Sequence, residues 1–274
     1  MENTQSSSNG MTRHMRMLAI VLVPVVALIL GAAAPELWAD GDGDELEFEE
    51  AWFNIEFNST DEDLGVRGFV DGDPWKEVEI EDPNGRTIAN IWAKKSLADQ
   101  GFAELFFESG EPTLEDVPIA TFLGRFPEGT YEFEGETIEG DDVEGEAEFT
   151  WIIPCGPEIW ADVKPRKIVI KWNAVETVVN LNSTTYDPEE CYGSDDLLIV
   201  GYRVEVEWEE VLNEGTPDEE EIVHKFGIDL EADQYQVTVP PEFMEIGQEF
   251  QYEVLAIEVS GNQTITEREW PEED

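Results

Sequence analysis

The sequence predicts an all-β protein made of two consecutive antiparallel β-sandwiches, and three observations carry that expectation. Residues 197–209 read LLIVGYRVEVEWE, where Tyr202, Val204, Val206 and Trp208 alternate with Arg203, Glu205, Glu207 and Glu209. A period of two puts one strand face on a core and the other in water. Residues 52–153 hold short strand-like runs separated by turn chemistry such as Asp71-Gly72-Asp73-Pro74 and Asp82-Pro83-Asn84-Gly85. Between the halves, Ile153-Pro154-Cys155-Gly156-Pro157 interrupts two apolar runs, the mark of a short, stiff joint.

A chain of 274 residues suits one or two domains. Its formal charge of -50 arises from 15 Lys and Arg against 65 Asp and Glu. Composition alone would suggest disorder at that charge, but 11% aromatics and many strand patterns argue for a folded body with an acidic skin. Such a surface repels phosphates, which excludes nucleic acid and anionic lipid as partners. The acids are spread along the whole chain, so adaptation to saline surroundings is the plain reading and a dispersed set of divalent-cation contacts the alternative. A marine or halophilic bacterium fits this body.

Residues 1–39 have the form of an export signal. Arg13, His14 and Arg16 precede an apolar run over 18–34, and Leu37-Trp38-Ala39 offers a cleavage site. The run is near the lower limit for spanning a bilayer, so an uncleaved N-terminal anchor stands beside the signal peptide, and it would be the only membrane contact. Residues 40–51 read as an acidic linker. Its Asp40-Gly41-Asp42-Gly43-Asp44 is spaced like the start of a calcium loop but lacks the later glycine and glutamate.

Over residues 52–153, strands are expected at 52–57, 65–70, 76–81, 87–93, 103–108, 129–133 and 144–153. Pro118 delays a short helix to 119–126, where Ile119, Phe122 and Leu123 share a face. In strand count and spacing this half is similar to an immunoglobulin-like sandwich.

Residues 157–270 carry Trp172 in a KIVIKW run, then Gly201-Tyr202-Arg203-Val204, then Tyr252-Glu253-Val254-Leu255-Ala256 ahead of Gly261. Together and in this order they resemble a fibronectin type III domain. The resemblance implies that Trp172, Tyr202 and Tyr252 are structural hallmarks on the second, third and sixth strands. It also implies a domain that presents loops and sheet faces to partners or spaces other domains apart. Residues 271–274 form an acidic tail.

The two cysteines, Cys155 and Cys191, are expected to form a disulfide in an exported chain. His224 is the one histidine after the signal, in a patterned strand run and without a GxSxG motif, so hydrolase chemistry of the Ser-His-Asp kind is not expected. Asp61, Asp63, Asp71 and Asp73 flank one strand and are the candidate calcium ligands. Trp75 and Trp92 are the candidate ligand-stacking rings. Asn58, Asn182 and Asn262 begin N-glycosylation patterns. The functional expectation is an exported, noncatalytic binding or scaffold protein with a protein or glycan partner, outside the cytoplasm. The alternative is a carbohydrate-binding accessory protein or a small glycan-active enzyme.

Overall fold

Alternating apolar and acidic residues build strands along most of the chain. The computed structural model describes residues 46–164, 167–213, 215, 220–243 and 249–271. The expected signal and residues 40–45 of the acidic stretch lie outside the described residues, as do residues 272–274 of the tail.

The first half contains β1 (Leu46–Glu47), β2 (Glu50–Asn58), β3 (Asp63–Glu81), β4 (Thr87–Trp92), β5 (Phe102–Glu108), β6 (Gly129–Thr137) and β7 (Asp142–Phe149). A five-residue helix α1 (Ser96–Gln100) precedes β5, and α2 (Ile119–Arg125) caps the core with Ile119, Phe122 and Leu123 as expected. Strand β3 organises this half. Its first part, to Asp71, pairs with β2 and β5, and its second part, from Trp75, pairs with β6 and β4. The bend carries the chain from one layer to the other, so Phe53 of β2 meets Tyr131 of β6 and Phe149 of β7 with ring centroids 4.7 and 5.3 Å apart, in a core that also holds Ile55, Phe57 and Phe133.

The turn expected at Asp71-Gly72-Asp73-Pro74 is therefore not a chain reversal. Two strands are one, with a register shift between Asp71 and Trp75. Proline suits an irregular position because it has no N–H to give to the ladder. A Cβ on Gly72 would lie 3.1 Å from the Phe48 ring, so the bend needs a small residue where it crosses that ring.

The stretch from Leu46 to Ala51 also belongs to this body. Leu46 and Glu47 run parallel to β7, and Phe48 is buried against Trp75. Two apolar side chains among acids are enough to fasten a segment that composition alone reads as linker.

The second half holds β8 (Ile159–Lys164), β9 (Lys167–Trp172), β10 (Thr177–Val178), β11 (Tyr192–Gly193), β12 (Ile199–Leu212), β13 (Glu220–Glu231), β14 (Gln236–Thr238), β15 (Phe250–Glu258) and β16 (Gln263–Trp270). A three-stranded sheet, β14-β9-β8, and the run β13-β12-β15-β16 enclose a core with Trp172, Tyr202, Val204, Tyr252 and Val254. The Trp172 and Tyr202 rings lie 5.5 Å apart, and the Tyr202 hydroxyl accepts the Val175 N–H at 3.0 Å.

The two cores share a sheet. β16 pairs in parallel with β2, matching Gln263 to Glu56, Thr264 to Phe57 and Ile265 to Asn58. The sheet thereby runs β1-β7-β6-β3-β2-β16-β15-β12-β13. Asn262 fastens the junction. Its Oδ1 accepts the Ile55 N–H at 2.8 Å, and its Nδ2 donates to the carbonyls of Thr150 and Ile152 at 2.9 and 3.0 Å. Thr264 Oγ1 donates to the Pro154 carbonyl at 2.6 Å. A Cβ on Gly156 would stand 2.2 Å from Ser59 Oγ, so only glycine lets the joint lie this close. The Cys155–Cys191 disulfide then ties the joint to the segment before β11. With 1% exposure and its amide nitrogen engaged, Asn262 is no glycosylation acceptor in the folded chain. Among the described residues, no helix is long and apolar enough to cross a membrane.

Candidate functional site

Strand alternation puts a second set of side chains on the face of the shared sheet that points away from both cores. On β2 these are Trp52, Asn54 and Glu56; on β3, Asp63, Gly65, Arg67 and Phe69; on β5, Phe106 and Glu108. The registers align Trp52 with Phe69 and Phe106, and Asn54 with Arg67 and Glu108. Trp52 stacks on Phe69 at 5.5 Å, and the Arg67 guanidinium lies 5.7 Å from the Trp52 ring centroid. Arg67 donates to Asn54 Oδ1 at 3.1 Å and pairs with Glu56 at 2.9 Å. Its charge is therefore committed.

Around Arg67 the acids outnumber it. Glu56, Glu108 and Glu111 each bring one carboxylate oxygen within 4.8 Å of the others. Glycine at position 65 makes this approach possible, because a Cβ there would sit 2.7 Å from Glu111 Cγ. Burial, then the charges of Glu56, Glu108 and Asp63, push the Glu111 carboxyl up to about 8. Burial and the neighbouring Asp61 and Glu56 raise Asp63 to about 6.

Farther across the same face, the register sets Glu205 on β12 opposite Glu253 on β15, and Glu253 opposite Glu267 on β16. Glu205 and Glu253 are each 8% exposed. Burial raises Glu205 to about 7, with Arg203 and Lys225 pulling the other way. Burial together with Glu205, Glu267, Glu207 and Glu56 raises Glu253 to about 8. Glu267 is raised to about 7 by burial, Asp61 and Glu269. The nearby cations are engaged elsewhere, Arg203 with Asp229 at 2.6 Å and Lys225 with Glu207 at 2.8 Å. Such a face can hold protons near neutral pH or accept a hard cation.

The four aspartates singled out in the sequence do not form one site. Asp61 and Asp63 border the acidic face, but Asp71 lies eight residues farther along the regular part of β3. At ~3.3 Å per residue that is roughly 26 Å, and Asp71 stands opposite Glu50 and Glu104 instead, with Asp73 beyond it in the irregular stretch before Trp75. Trp75 is not a ligand platform either. It is fully buried, with its ring against Phe48 and Phe102. Trp92 is 51% exposed, yet its N–H donates to Glu77 at 2.6 Å and Lys94 Nζ lies 5.6 Å from its ring centroid. His224 stacks on Trp208 with centroids 3.9 Å apart, and its Nε2 lies 3.1 Å from Glu210 Oε2.

The glutamates of the face escaped sequence reasoning. Glu205 and Glu253 were legible as outward strand positions, but their meeting across strands depends on register, which a single sequence does not display.

The sequence matches no protein-family profile and no curated protein. Among solved structures, the chain is similar to the spore cortex lytic enzyme SleM of Clostridium perfringens, at 16% identity and a TM-score of 0.24, over 43% of this chain and 27% of that one. A tetra-tandem repeat from the extending region of a large adhesion protein aligns at 10% identity and a TM-score of 0.24, over 82% and 50%. The human OSCAR ligand-binding domain aligns at 10% identity and a TM-score of 0.25, over 80% and 97%. The chain thus spans half or less of the length of the first two.

Proposed function

We propose that this chain is an exported, noncatalytic binding or scaffold protein whose second half is a fibronectin type III-like module. The observation that carries the reading is the junction: β2–β16 pairing, the Asn262 bonds and the Cys155–Cys191 disulfide join two cores into one body. A joint so tightly held suits presenting a surface at fixed geometry rather than hinged closure around a substrate. Three strands facing four, with Trp172, Tyr202 and Tyr252 in the core between them, support the fibronectin type III resemblance. The disulfide supports an oxidising compartment, periplasmic or extracellular. With Trp75 buried, sugar stacking loses one of its two proposed rings and keeps only the half-exposed Trp92, which weakens the glycan alternative.

The test is to incubate the purified chain with cell-envelope protein and polysaccharide fractions, measuring saturable retention and product release together. Retention without release of reducing ends or peptide fragments is expected. Release above that of a heat-denatured control would overturn the reading.

A further inference from the structure

We propose that Glu205 and Glu253, facing each other on β12 and β15, bind a divalent cation of calcium-like chemistry on the outer face of the shared sheet. Two independent observations point there. The first is placement: opposite residues on adjacent antiparallel strands hold their Cβ atoms about 4.5–5.5 Å apart, and like charges so placed repel. Glu267 extends the row on the next strand. The second is that both residues are buried, each 8% exposed, yet neither carboxylate accepts a hydrogen bond or joins an ion pair among the described residues. A buried carboxylate without a partner is costly, and two side by side cost more.

The groups facing the pair do not resolve this. On β12, Arg203 is held by Asp229, while Glu207 is held by Lys225 from β13. On β16, Glu267 adds negative charge, as does Glu56 from β2. The neighbouring trio Glu56, Glu108 and Glu111 differs in that one of its members, Glu56, is paired with Arg67. A hard cation with oxygen ligands matches what the pair lacks. Calcium accepts carboxylates in mono- or bidentate fashion and fills its remaining positions with water, whereas magnesium demands a stricter octahedron. The proposal does not depend on the chain being noncatalytic.

The experiment is calorimetric titration of the chelator-treated full chain with calcium chloride in a buffer of fixed sodium chloride, alongside thermal melts. Wild type is expected to bind about one equivalent and to melt higher with calcium than with sodium at matched ionic strength. Glu253→Gln should fold and lose both effects, while Glu111→Gln should keep them. Calcium no better than matched sodium would overturn the proposal, as would binding that survives Glu253→Gln or disappears in Glu111→Gln.

Discussion

Asn262 does at one position what a surface contact does over many. Its side chain satisfies a buried β2 amide and two part-buried carbonyls of the connection that joins the halves. Replacing it with alanine leaves the amide buried and unpaired, at a cost of about 1–3 kcal/mol when water cannot enter, and the two carbonyls without this donor. Asn262→Ala is expected to lower stability by at least about 2 kcal/mol in urea denaturation. A loss below about 0.5 kcal/mol, the scale of an ordinary surface change, would show that the contact is incidental. The same position shows how context overrides motif. Asn-Gln-Thr reads as a glycosylation acceptor, and in the fold it is a buried fastener.

Among the elements, β3 and the disulfide are the most telling. The alternations over 65–70 and 76–81 were legible as strands, as were β2, β4, β5, β12 and β15 near their observed limits. The link across Asp71 to Pro74 was not, because Asp-Gly-Asp-Pro satisfies the chemistry of a turn and of a bulge alike. Strands β1, β8, β10 and β11 went unread for another reason: they are short or lack clean alternation, and tertiary pairing creates them. The Cys155–Cys191 bond was legible from cysteine count alone. It closes a 36-residue separation, and by chain entropy contributes on the order of 3–4 kcal/mol. The double variant Cys155→Ser/Cys191→Ser is expected to lose about that much by chemical denaturation. A loss near zero would mean that the joint's hydrogen bonds suffice.

On the scale of the whole molecule, the acidic face makes stability depend on pH in an unusual direction. Asp63, Glu111, Glu205, Glu253 and Glu267 all have carboxyl groups raised in the fold, to values from about 6 to about 8. The native state therefore binds more protons than the unfolded chain once pH exceeds the ordinary carboxylate value. Stability must fall as pH rises through the native values. In buffer free of divalent cations, the melting temperature is expected to decline from pH 5 to pH 8; a flat or rising profile would remove the buried-carboxylate account.

That face exists as one surface only because β2 and β16 join the halves, which makes the pairing the central claim. Native-state hydrogen exchange across residues 50–58 and 263–270 tests it directly. If the sheet is continuous, both segments exchange with the same opening free energy, and both lose protection together as denaturant rises. Exchange of 263–270 with its own lower opening energy, while 50–58 stays protected, would contradict the account.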